Sequence, residues 1–264
     1  MRLKIALVSL ILFCPCAICY GQLRFASVGG EKGYSAMRAS FVADLDNGWI
    51  LTPQYGYYRM SDKEIDEAGS TSRYGIEARY ELNDTIELLA DSTLQPQALG
   101  YEAFLYHAGV QVASFYYWAG LKNPLVAVRI GQERARSYVD VSGNDLPGGA
   151  FRQVGTVLIA QTSVDVQDFN LQGTWQKVLK YSSRVPEDVT FSWAEIPYMT
   201  AVLQGYLKDC VALRASYTAQ AVTPYISWAR YHYDQRRVAA NALSVGLYVR
   251  IWGVEVSGGL EIFE

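Results

Sequence analysis

Beyond Gly33 the apolar residues of this chain recur at intervals of two, not in the three-and-four spacing of an amphipathic helix. Between residues 34 and 45, Met37, Ala39, Phe41, Ala43 and Leu45 share one face, opposite Arg38, Ser40 and Asp44. Asp46, Asn47 and Gly48 then give a hairpin signal, and the return segment sets Trp49, Leu51, Tyr55 and Tyr57 against Thr52, Gln54 and Gly56. Residues 73–82 alternate without exception: Tyr74, Ile76, Ala78, Tyr80 and Leu82 oppose Arg73, Gly75, Glu77, Arg79 and Glu81. The same two-faced pattern returns around Leu158, Leu213 and Leu247. Near the end the apolar set moves from odd positions (Leu243 to Ile251) to even ones (Val254, Val256, Leu260, Ile262), which requires a turn or bulge at Trp252 and Gly253.

One segment tests the pattern. Residues 103–121 contain no Asp, Glu, Lys or Arg, a run long enough to span a bilayer as a helix. Phe104, Tyr106, Ala108, Val110 and Val112 nevertheless keep one parity, so a strand is expected. Charged or Gly-rich connections at 61–71, 140–149 and 234–237 alternate with tight turns such as Asn83 and Asp84, and are expected to be solvated loops.

The first 21 residues stand apart. Arg2 and Lys4 precede the apolar run from Ile5 to Phe13, and small residues precede Gln22, the three regions of a cleaved secretory signal. Cleavage follows Gly21 or Cys19. Cys14, Cys16 and Cys19 leave with that segment, so Cys210 alone survives and no internal disulfide or metal-binding cysteine cluster is expected. Loss of Arg2 and Lys4 takes the net charge from -3 to -5. With no basic footprint, nucleic acid is excluded as a partner.

An exported soluble sandwich would turn the apolar strand faces inward, whereas a membrane barrel turns them to lipid and encloses the polar faces. Aromatic residues at segment ends and on the apolar faces, including Trp49, Tyr55, Tyr57, Tyr74, Tyr80 and Tyr217, favour the barrel. The expected architecture is an all-β, closed antiparallel transmembrane barrel of about 10 to 12 strands over residues 22–264, at about 20 residues per strand and connection. On these features the chain resembles the outer-membrane β-barrel proteins of Gram-negative bacteria. Residues 254–263 look like the terminal strand recognised by the barrel assembly machinery, although Glu264 follows Phe263 and leaves the aromatic penultimate. The resemblance implies an outer-membrane location, with lipid, the assembly machinery and small solutes as partners.

The polar faces supply the lumen candidates: Glu77, Arg79, Glu81, Arg129, Glu133, Arg214, Arg230 and Arg250. They would either fill the lumen with ion pairs or line a path through it. The function expected is a passive small-solute channel or a structural, surface-interacting barrel, with no cofactor. A membrane-embedded hydrolase or lipid-modifying barrel is the alternative, and its base would have to be His107 or His232. A soluble exported β-protein is the third. No phosphate-binding glycine loop, dinucleotide fingerprint or paired metal-ligand spacing occurs.

Overall fold

The computed structural model describes residues 20–30, 35–45, 47–62, 67–98, 101–113, 121–137, 151–183, 207–218, 221–233, 239–251 and 254–263. Thirteen strands follow one another: β1 (Tyr20–Gly30), β2 (Ser35–Leu45), β3 (Trp49–Asp62), β4 (Glu67–Glu81), β5 (Ile86–Ala98), β6 (Tyr101–Ala113), β7 (Leu121–Ser137), β8 (Phe151–Val166), β9 (Phe169–Ser183), β10 (Leu207–Tyr217), β11 (Val222–Tyr233), β12 (Ala239–Ile251) and β13 (Val254–Phe263). Each pairs antiparallel with the next, and β1 pairs with β13, so the sheet closes into a barrel.

The closed all-β barrel agrees with the alternation, but residues 61–62 and 67–71, expected in a solvated loop, belong to β3 and β4, and two further details differ from expectation. There are thirteen strands rather than 10 to 12, and the closing pair is parallel, Leu23 facing Val254 and Gly30 facing Glu261. β1 lies before the regular alternation begins. Its inward side mixes Arg24 with Ala26 and Val28 and its outward side mixes Phe25 with Ser27, so period two is blurred there. β1 also starts inside the segment assigned to the leader, with Tyr20 and Gly21 opposite Asp44 and Ala43. In a meander every strand reverses direction. An odd count therefore makes the first and last strands run the same way and sets their outer ends at opposite rims.

Topology likewise sorts the connections. Those at 46–48, 82–85, 114–120, 167–168, 218–221 and 252–253 meet at one rim, called here the short-turn rim. The opposite, long-connection rim gathers 31–34, 63–66, 99–100, 138–150, 184–206 and 234–238. At the short-turn rim Gly48 adopts φ +81°, which glycine accepts without strain, and its N–H donates to the Leu45 carbonyl. Asn83 closes the next turn by accepting from the N–H groups of Thr85 and Ile86 at 2.9 Å. The parity change near the end of the chain is a hairpin: Ile251 faces Val254, and Trp252 and Gly253 lie outside the described residues. Residues 114–120 of the charge-free segment also lie outside them, while residues 103–113 form strand as expected. Pro96 and Pro124 fall within interruptions of the ladder register, where no proline N–H is required.

The two faces of the wall divide by chemistry. Ile76, Leu94, Val126, Ile130, Leu213, Ile226, Leu247 and Leu260 are exposed on the outside, Ile130 at 53% and Leu260 at 62%. Glu77, Asp91, His107, Arg129, Glu133 and Arg214 alternate with them on the inside. Among the described residues no apolar core of the sandwich kind forms; the small buried set is spread around the inner wall, as with Ala36, Leu89, Leu105, Ala127 and Val157.

β6 and β7 approach so closely that a side chain at Gly131 would run into the Tyr106 carbonyl oxygen and come within 2.6 Å of His107 Cα. Gly131→Ala is expected to lower the unfolding free energy by about 1–3 kcal/mol. At Gly258 an added Cβ meets nothing within 4 Å, so Gly258→Ala should change it by less than about 0.5 kcal/mol. Urea midpoints followed by tryptophan emission compare the two, and equal midpoints would remove the close approach.

Candidate lumenal site

The inward face of β4 to β9 carries a network of ion pairs built by cross-strand register. Glu77 faces Asp91, Asp91 faces His107, and His107 faces Gly131, which leaves room for the imidazole. Arg79 lies 3.5 Å from Glu77 and 3.8 Å from Glu87. Arg129 reaches both Glu77 and Asp91 at 3.5 Å. His107 Nδ1 is 2.8 Å from Asp91, and its Nε2 is 3.7 Å from Glu133, which in turn accepts from the Gln176 amide at 3.0 Å. Four carboxylates and two guanidiniums thus meet on this wall, with His107 among them.

A cavity of about 380 Å³ lies against the other wall, lined by inward residues of β1 to β5, β10 and β13. Arg24, Arg38, Arg73 and Arg214 all border it, together with Tyr58 and a single carboxylate, Glu255. Aromatic rings hold the guanidiniums in place. Arg38 and Arg73 lie 5.7 and 4.9 Å from the centre of the Tyr58 ring, and Arg214 lies 4.0 Å from that of Tyr225. Gly246 and Gly259 make room for the Tyr225 hydroxyl end, since a Cβ on either would approach it to 2.5 Å. Arg24 is steadied by the Gln22 amide oxygen at 2.9 Å, and Arg214 Nε is buried with no hydrogen-bond partner. The lumen is therefore polarised across its width, with carboxylates and cations mixed on one wall and cations predominating on the other.

The expected lumen residues separate accordingly. Glu77, Arg79, Arg129 and Glu133 are brought together in the ion-pair network, and Arg214 borders the cavity. Glu81 is exposed where β4 meets the short-turn rim. Arg250, near the same rim, is 3.0 Å from Glu255. Arg230 departs from the lumen assignment, because it shares the outward parity of β11 with the exposed Ile226 and Trp228. Missing from the expected set are Arg24, Arg38, Arg73, Glu87 and Asp91. Arg38 and Arg73 had the alternation to mark them as polar-face residues, whereas Arg24 lies in the strand whose period is blurred.

Among the described residues each histidine pairs with an aspartate, His107 with Asp91 and His232 with Asp209. His107 Nε2 makes no hydrogen bond and faces Glu133 instead of a hydroxyl nucleophile. His232 lies toward the long-connection rim, 3.2 Å from Asp209. Among the described residues no group of three or more His, Cys, Asp and Glu is arranged to hold a metal ion. No family model matches this chain, and no curated protein matches it.

The two His–Asp pairs offer an internal comparison. A double-mutant cycle with Asp91→Asn and His107→Gln is expected to give a coupling of about 1.5–3 kcal/mol, because that pair is shielded from water. The cycle for Asp209 and His232, whose side chains are about one-third exposed, should give less than about 1 kcal/mol. Equal couplings in urea denaturation would mean that the lumen shields His107 no better than the outer surface shields His232.

Proposed function

We propose that the chain is an outer-membrane β-barrel through which small solutes pass, with a preference for anions set by the arginine wall of the lumen. The observation that carries the reading is the distribution of side chains between the two faces: large apolar groups cover the outside of a closed wall, and ionised groups with a cavity occupy the inside. In water such a belt would remain exposed to solvent, whereas in a bilayer it meets hydrocarbon. The dimensions agree with that environment. Ten residue steps separate Trp49, at the short-turn rim, from Arg59 on β3. At a rise of about 3.3 Å per residue and a tilt of about 40°, they span about 25 Å, the height of an apolar barrel belt.

Anion preference follows from the cations. Arg24 and Arg214 border open volume, while Arg79 and Arg129 are engaged by carboxylates and add little net charge. Planar-bilayer recordings across a salt gradient test this. The parent protein should be anion-selective, and R24Q/R214Q should move the reversal potential toward the cation side, a change in permeability ratio of roughly several-fold. R79Q should move it much less. A folded, inserted protein that carries no current would overturn the channel reading and leave a structural barrel.

Hydrocarbon contact has its own test. Ile130→Arg places a charge near the middle of the outer belt and should cost about 2–4 kcal/mol in protein refolded into vesicles. A neutral effect there would mean that the outer wall does not face lipid.

A further inference from the structure

The outside of the barrel differs at its two rims. At the short-turn rim the outward positions hold Trp49, Tyr80, Phe169, Tyr217 and Ile251, with Trp49 against Tyr80 at 4.9 Å and Phe169 against Tyr217 at 5.2 Å. None carries a charge. At the long-connection rim four exposed cations recur at one level. Arg59, Arg134, Lys180 and Arg230 each stand three residues before the end of a strand that finishes there, β3, β7, β9 and β11. Lys177, exposed three residues before Lys180, extends the set toward the apolar belt.

Apolar and aromatic groups lie just below this level: Phe104 and Tyr106 are 5.7 Å apart, and Trp175 and Trp228 are exposed. The Tyr106 hydroxyl donates to Gln132 at 2.7 Å, and Arg134 donates to the same amide oxygen at 3.0 Å, which fixes a polar shelf immediately above the ring. Among the side chains described, two carboxylates share the region, Glu102 at 3.3 Å from Arg136 and Asp209 at 3.2 Å from His232. Among the described residues neither pairs with any of the four cations.

We propose that Arg59, Arg134, Lys180 and Arg230 form a belt that binds the phosphates of anionic bilayer lipids, and so seats the long-connection rim in the more anionic leaflet. The inference rests on the membrane reading above. Four cations at one depth, directly above rings suited to the head-group boundary, meet lipid phosphates at the level where those phosphates lie. The opposite rim has no such set among the outward residues named, so the attraction acts on one side of the barrel and favours one orientation. Arginine adds geometry to charge, since its planar fork can donate two bonds to one phosphate.

The full chain, refolded into vesicles of equal phosphatidylcholine and phosphatidylglycerol and extracted in mild detergent, is examined by native mass spectrometry for retained lipid. The parent protein should retain phosphatidylglycerol in clear excess. R59Q/R134Q/K180Q/R230Q should lose that excess, at about fivefold per cation removed, the fold-change matching about 1 kcal/mol each. K180R should keep it. Inorganic phosphate, compared with chloride at equal ionic strength, should not displace the lipid; displacement would mean that the belt binds free anions and would overturn the lipid assignment. If the fourfold variant fails to fold, as judged by heat-dependent gel migration, R59Q and K180Q tested singly carry the same fivefold expectation. Flotation of the vesicles separates the two readings. A parent protein that floats with the vesicles but retains both lipids equally overturns the belt alone, whereas one that does not float overturns the membrane reading beneath it.

Discussion

Closure of the backbone hydrogen-bond ladder is the constraint on which the other features depend. A strand with an unpaired edge carries a row of N–H and C=O groups that must find water or another chain. Here β1 supplies the missing partner of β13, and the wall has no edge. Once backbone demand is met within the sheet, the outer side chains no longer have to cover polar groups, and apolar residues can occupy almost the whole exterior. The seam is parallel because thirteen is odd. Parallel pairing is slightly weaker per residue than antiparallel pairing, but an open edge would leave its backbone groups without partners altogether.

Closure also creates an enclosed space in which charges from distant parts of the sequence meet. Glu77 and Arg129 are separated by more than fifty residues yet lie 3.5 Å apart, because β4, β5, β6 and β7 register side by side. Such pairs engage both guanidiniums of that wall, where carboxylates outnumber them. The opposite wall is differently made: its guanidiniums lie against the faces of Tyr58 and Tyr225, which orient a cation. The width of the lumen is thereby divided into an ion-paired side and an arginine-lined side, and the cavity lies on the second.

How much of this was legible in the chain depends on how strictly each strand alternates. Residues 73–82 keep period two throughout, and the side facing inward, with Glu77 and Arg79, could be named from them directly. β1 could not be read in the same way, so Arg24 was passed over. Arg230 shows a different limit. It belongs to Arg230-Tyr231-His232-Tyr233, where polar and aromatic residues occupy both parities and hydrophobicity does not say which is inside; the exposed Trp228 two residues earlier does. His107 lay in a segment without charges, and nothing nearby in sequence announced Asp91 or Glu133 as its neighbours.

By itself the sequence determined that the chain makes two-faced strands joined by turns, because alternation is a local property written in adjacent residues. It also determined the chemistry of each regular face. The tertiary structure decided which strand closes the sheet, which charges meet, and where the enclosed volume remains, since these depend on register between strands far apart in the chain. It also decided that four cations on β3, β7, β9 and β11 stand at a common level, a relation that exists only once the strands are side by side.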